Sequence, residues 1–226
     1  MRDLTVVFDL DGTLIDTAPD LIRCANHALG LAGVEPVEAS VLRPSISFGA
    51  RRMIEIGLAS RGCTLDPATV DRLLTGFLDH YLATIADQSR PFPGLPAVLD
   101  ELAAGGARIA ICTNKLEGMA IALLDALDYT SRFHFISGRD TFAVCKPHPE
   151  HLLQTIARAG GRARQAIMVG DSDVDIATAK AAGVPVIAVD FGYCEQPVAR
   201  FQPDAVISHY AEFFGSLGRI RGGKNH

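Results

Sequence analysis

Two carboxylates two residues apart, Asp9 and Asp11, follow the run Thr5-Val6-Val7-Phe8, and Gly12-Thr13 follows them. The stretch Leu4 to Phe8, apolar, β-branched and bounded by charge, has the composition of a strand buried on both faces of a parallel sheet. An ionised carboxylate at the edge of such a core costs several kcal/mol unless a cation faces it, and a metal ion would supply that cation. Gly12 lets the backbone turn sharply and approach a ligand, and Thr13 brings a hydroxyl to hold the loop. Asp-Gly by itself is common turn chemistry. The longer pattern Asp-Leu-Asp-Gly-Thr-Leu directly behind a buried strand is what points to a site.

Three further stretches carry chemistry. Thr113-Asn114 follows an apolar strand and precedes a helix, so a hydroxyl, an amide and free backbone N–H groups converge as anion binding requires, although such residues also cap helices routinely. Lys146 stands ahead of Pro147-His148-Pro149, which starts a helix. A cation at that positive end of the macrodipole is disfavoured by ~0.3–1 kcal/mol, so an anion should compensate it. Asp171 ends the run Ile167-Met168-Val169-Gly170, and Asp175 follows four positions on. If a helix begins by Ser172, the two carboxylates share roughly one face of its first turn. Asp173 is ordinary complementation of the helix dipole. Carboxylates with water and substrate oxygen make the hard, oxygen-only octahedron that Mg²⁺ prefers.

The elements that must position these residues are legible from periodicity. Between Ala18 and about Pro91 the pattern is helical: one helix from Ala18 with Gly30 and Gly33 as its stop, a second over Ala50–Ala59, a third over Pro67–Ile85. Beyond Pro91-Phe92-Pro93-Gly94 helices alternate with strands at 107–112, 133–136, 166–169, 184–189 and 205–207, and an amphipathic helix closes the chain. Alternation of this kind means an α/β fold with a doubly wound parallel sheet, which binds ligands at the carboxyl ends of its strands. Residues 1–16 and 92–226 are thus expected to form the α/β core and residues 17–91 an inserted helical subdomain, with hinges near Asp16-Thr17 and Arg90-Pro93.

Composition narrows the class. With 226 residues, 48% apolar content and a net charge of −5, the chain reads as an ordinary soluble protein with no electrostatic footprint for nucleic acid. Its one basic cluster, Arg219 to Lys224, is short and glycine-bearing and is expected to fray. Five scattered cysteines without a Cys-x-x-Cys pair indicate neither a disulfide framework nor a zinc site and fit a reducing compartment. Cys112 and Cys145, beside candidate site residues, are expected to serve packing. The amino terminus shows no targeting pattern and no apolar run reaches ~20 residues, so a cytoplasmic location without membrane contact is expected.

Taken together, Asp9 and Asp11, Thr113, Lys146, and Asp171 with Asp175 resemble the four motifs of the haloacid dehalogenase superfamily, in order and over essentially the whole chain. The Lys146-Pro147-x-Pro149 block, Gly170-Asp171-Ser172-x-x-Asp175 and Phe191-Gly192-Tyr193 are most similar to its phosphoglycolate phosphatase branch. The resemblance implies a Rossmann-like core with a helical cap and Mg²⁺-dependent hydrolysis of a small phosphorylated metabolite. It implies Asp9 as nucleophile, giving an aspartyl-phosphate, and Asp11 as general acid and base. The metal would be held by Asp9, the Asp11 carbonyl and Asp171, with Asp175 orienting Lys146 or the metal shell. Gly12, Thr113, Asn114 and Lys146 would hold the phosphate.

In the cap, Pro44 to Arg52 is expected to select the substrate, with Arg51 or Arg52 pairing a carboxylate such as that of 2-phosphoglycolate. Family members often carry a glycine where Ser47 stands, so this loop departs from the family pattern at that position. A phosphosugar mutase, or a phosphatase of sugar phosphates, nucleotides or pyrophosphate, would keep the same core residues, and a non-catalytic module would keep the same fold. A dehalogenase needs neither Asp11 nor a metal-binding Asp171. A phosphonate hydrolase needs a cap lysine, and residues 18–90 contain none. A monomer or a homodimer is expected.

Overall fold

A computed structural model of the chain describes residues 1–222. Six strands, Thr5–Phe8 (β1), Arg108–Cys112 (β2), Phe135–Ser137 (β3), Ala166–Gly170 (β4), Val186–Val189 (β5) and Ala205–Ile207 (β6), form one sheet. Its order is β3-β2-β1-β4-β5-β6, and every pair is parallel. β1 lies at its centre: Val6 stands opposite Ile109 on one side and Ile167 on the other. Every residue of β1 is buried, which is why the run tolerates no polar side chain except Thr5. The strand order reverses between β1 and β4, and the crevice at the carboxyl ends of those two strands is where such sheets bind ligands.

The chain divides into two units, Thr17–Arg90 and a second made of Met1–Asp16 with the chain from Pro91 onward. The first unit is helical: α1 (Ala18–Leu31), α2 (Ala39–Leu42), α3 (Ala50–Ser60) and α4 (Pro67–Ala83). α1 runs through Gly30, expected to stop it, and ends before Gly33, whose φ of +69° supplies the turn. The short α2 and the 3₁₀ turn Arg43–Phe48 were not expected, because so few residues show no periodicity. Asp20, fully buried, ties the two ends of this unit together by accepting hydrogen bonds from Gln88 N, Ser89 N and Ser89 Oγ.

In the second unit, α5 (Leu95–Ala104), α6 (Glu117–Ala126), α7 (Pro149–Arg158), α8 (Asp173–Ala181) and α9 (Phe213–Gly222) flank the sheet. Val7, Ala110 and Met168 pack with Leu152 and Ile156 of α7 and Ile176 and Ala179 of α8. The next residue of β1, Phe8, points to the opposite face, where its ring lies 6.2 Å from that of Phe213 in α9. The tail expected to fray is helical through Gly222, since Ser216 and Leu217 anchor α9 in the core. Gly223 and Lys224 lie outside the described residues. Among the described residues no helix is long and apolar enough to cross a membrane, and all five cysteines are free thiols.

Candidate functional site

β1, β2 and β4 end side by side, so Asp9, Thr113 and Asp171 leave the sheet at one rim; Asp9 N still donates to Val169 O at 2.9 Å. Carboxylate oxygens of Asp9, Asp171 and Asp175 lie within 4.8 Å of one another, all three residues buried. Such a cluster cannot stand without positive charge. Lys146 supplies one, its Nζ 2.8 Å from Asp9 Oδ1 and 2.6 Å from Asp175 Oδ1. This is the anion that a lysine ahead of α7 requires.

The electrostatics follow. Burial, with Asp175 and Asp11 adding to it, pushes the Asp9 carboxyl up to about 6 against the pull of Lys146. Burial first, then Asp175 and Asp9, hold Asp171 well above the carboxylate range. Burial opposes the charge on Lys146, but Asp175 and Asp9 outweigh it and hold the ammonium above its ordinary range. Three carboxylates share one ammonium, so full ionisation leaves excess negative charge, which a divalent cation would meet. Asp9 Oδ1 is buried and receives no well-aligned hydrogen bond, although Lys146 is close enough to pair with it. Carboxylate oxygens from three buried acids, with one ammonium beside them, form an oxygen-only donor set that fits a hard cation.

The loop after β1 is shaped for that cluster. Gly12 has φ +81°, and a Cβ there would lie 2.5 Å from Asp171 Oδ2 and 2.9 Å from the Tyr193 ring. Glycine is therefore required both by conformation and by space. Thr13 Oγ1 donates to Asp171 Oδ1 at 3.2 Å, and Tyr193 N donates to Asp171 Oδ2 at 2.7 Å. Each Asp171 oxygen keeps a second lone pair for a metal.

α8 begins at Asp173, with Ser172 as its cap, so Asp171 lies just before the helix and not on its first turn. Asp175 closes a capping box: its Oδ2 accepts from Ser172 Oγ at 2.6 Å and Ser172 N at 3.2 Å while Asp175 N donates to Ser172 Oγ. With Oδ1 on Lys146, both its oxygens are engaged, and it acts as the lysine's anchor.

Asp11 is half-buried, and Lys115 Nζ donates to both its carboxylate oxygens at 3.1 Å. Sequence reasoning missed Lys115. The available signal was a cation just beyond Thr113-Asn114, in the loop that follows the strand neighbouring the acid-terminated β1. Thr113 is buried and its Oγ1 accepts from Lys115 N. Asn114 Nδ2 donates to the Lys146 carbonyl at 3.0 Å, so this amide braces the lysine, and its Oδ1 is without a hydrogen-bond partner. Arg51 and Arg52 open α3 in the helical unit; Arg51 pairs with Asp71, and Arg52 Nη1 lies 3.5 Å from Glu55 Oε2, with both arginines and Asp71 exposed and Glu55 half-buried.

The comparisons with known proteins agree with this geometry. Residues 6–189 match the family described as haloacid dehalogenase-like hydrolase. A phosphoglycolate phosphatase of Mesorhizobium japonicum is 51% identical over 205 residues, covering 91% of this chain and 90% of its own length. One from Caulobacter vibrioides is 41% identical over 212 residues, covering 94% and 90%. The crystal structure of a predicted phosphoglycolate phosphatase from Haemophilus somnus superposes with a TM-score of 0.86 at 25% identity, covering 96% of this chain and 99% of the other. With its acid-tipped central strand, its buried carboxylate–lysine cluster and a match over most of its length, the chain belongs to the haloacid dehalogenase-like hydrolase family.

Proposed function

We propose that this hydrolase is a Mg²⁺-dependent phosphatase of a small carboxylate-bearing phosphomonoester, 2-phosphoglycolate, and that Asp9 carries the phosphoryl group between two half-reactions. The observation that carries the reading is the cluster of Asp9, Asp171 and Asp175 around a single ammonium at the rim where the strand order reverses. The substrate class is supported by relatives at 41–51% identity that are phosphoglycolate phosphatases.

Asp9 attacks phosphorus through a carboxylate oxygen, and the P–O bond to the leaving alcohol breaks as the aspartyl-phosphate forms. Asp11, oriented by Lys115, gives its proton to the leaving oxygen. It then takes a proton from the water that attacks phosphorus, and Asp9 is released as a carboxylate with inorganic phosphate. Lys146 and the Thr113 hydroxyl hold the equatorial oxygens, on which transition-state charge spreads. Asp175 keeps Lys146 aimed, and Asn114 braces its main chain. A Mg²⁺ bound by Asp9, Asp171 and the Asp11 carbonyl would supply Lewis-acid stabilisation and screen the nucleophile from the phosphate. The helical unit acts as a cap that excludes bulk water, and Arg51 or Arg52 selects the carboxylate.

Phosphate release measured over 2-phosphoglycolate, sugar phosphates, nucleotides and pyrophosphate, with and without Mg²⁺, tests this. Preference for 2-phosphoglycolate, loss with chelator and recovery with Mg²⁺ are expected, as is reduced selectivity in Arg51→Ala or Arg52→Ala. Turnover by Asp9→Asn at the parent's rate refutes the nucleophile, and unchanged selectivity in both arginine variants refutes the cap residues.

A further inference from the structure

Lys146 is held by more than its charge. Its backbone N–H points inward and donates to Nδ1 of His151 at 3.0 Å, while its carbonyl accepts from Asn114. His151 sits in the first turn of α7 and is fully buried. Its own carbonyl accepts from Thr155 Oγ1 at 2.6 Å, and that hydroxyl meets Ser137 Oγ at 2.7 Å, which fixes the helix turn against the end of β3. The imidazole stands edge-on to Phe142, ring centroids 5.9 Å apart. Its Nε2 lies beside the Gly138 carbonyl in a geometry too poor for a full hydrogen bond.

A position selected only to fill this space would be apolar, because a buried imidazole with one good hydrogen bond is costly. The one good bond goes to Lys146. We infer that His151 is a positioning residue for Lys146: with Asn114 it clamps the main chain on both sides of the lysine and so sets where the ammonium stands between Asp9 and Asp175. The inference rests on reading Lys146 as the group that holds the phosphate.

The clamp matters because a lysine stem has four rotatable carbons and specifies little by itself. Its head is placed to within half an ångström only if its Cα is fixed. The bond requires a bare Nδ1, hence the tautomer protonated on Nε2. Burial first, and then the charge of Lys146, keep the ring neutral by pushing its pKa down to about 4.

The test uses the full chain with Mg²⁺ and a generic aryl phosphate, so it does not depend on the natural substrate. His151→Asn places an amide oxygen where Nδ1 stands, His151→Gln places it one bond farther out, and His151→Leu removes it. We expect His151→Leu and His151→Gln to lose about 10- to 100-fold in kcat/KM, with inorganic phosphate inhibiting more weakly, and His151→Asn to stay within about threefold of the parent. Thermal stability is measured alongside: a merely structural role would lower stability while leaving kcat/KM and phosphate inhibition of the folded variants at the parent's level, whereas misplacement of Lys146 changes both in the folded protein. If His151→Leu does not fold, the comparison of Asn with Gln carries the test.

Asn no better than Gln, or kcat/KM at the parent's level in His151→Leu, overturns the inference. Lys146→Met tells the two failures apart. If it is inactive while His151→Leu is fully active, the clamp is wrong and the reading of Lys146 stands. If it turns over at the parent's rate, the reading of Lys146 is wrong and the clamp has no catalytic consequence.

Discussion

Gly12→Ala isolates how closely the first loop approaches Asp171. The added Cβ would lie 2.5 Å from Asp171 Oδ2, 2.9 Å from its Cγ and 2.9 Å from the Tyr193 ring, at a backbone φ of +81°. Ordinary carbon–oxygen contact needs about 3.4 Å, so something must yield by close to 1 Å. Asp171 cannot simply swing aside, since Thr13 Oγ1 and Tyr193 N hold one oxygen each. Displacement of a reacting group by ~1 Å costs about 10²-fold in rate. The left-handed conformation costs the alanine about 1–2 kcal/mol and overpacking a further 1–3 kcal/mol. Gly183→Ala is the matched control: its φ is +65°, with nothing within 4 Å of a Cβ. It should lose only the conformational part of the stability and no activity. Urea unfolding and phosphate release at saturating Mg²⁺ read both quantities. If Gly12→Ala matches Gly183→Ala in stability and in kcat/KM, the close approach of this loop to Asp171 is not what the site depends on.

Other perturbations follow from the same contacts. Asp175→Asn should lower the urea-derived stability by about 3 kcal/mol, because a buried ammonium loses one of two carboxylate partners; a loss below about 1 kcal/mol refutes Asp175 as its anchor. His151 is held down to about 4 from 6.5, so the unfolded chain binds more protons between those values and stability falls as pH drops through that window. Asp9, raised from 3.8 to about 6, contributes the opposite slope over much of it, and the difference between the parent and His151→Asn isolates the histidine. The two pH slopes should differ from about pH 6.5 to 4 and run parallel above, whatever constant stability the substitution itself costs. Cys112, fully buried with its thiol pushed up to about 12 by burial, should resist alkylation in the folded protein and react on unfolding; labelling at the native-state rate of an exposed thiol would contradict it.

Much of this architecture is written locally. A β-branched run ending in Asp9, a strand ending in Asp171, and helices at 50–60 and 149–158 each follow from periodicity and punctuation within about ten residues. The compensating anion for Lys146 was likewise deducible from the dipole of the helix it precedes. The short α2 and the helical end of α9 were not, since a single turn has no period and anchoring of Ser216 and Leu217 is a matter of what packs on them.

The amino-acid sequence by itself determined which residue types stand at which strand tips, and therefore that acid, hydroxyl and ammonium would meet at one edge of a parallel sheet. Only the tertiary structure decided how they divide the work. Asp175 serves Ser172 and Lys146, Lys115 takes Asp11, Asn114 and His151 grip the lysine's main chain, and Tyr193 holds Asp171. These partnerships join residues up to 104 positions apart, as Lys115 and Asp11 are, and they depend on β1 lying between β2 and β4. Local sequence reports what a segment tends to become; which buried donor meets which acceptor is decided by the order in which strands sit side by side.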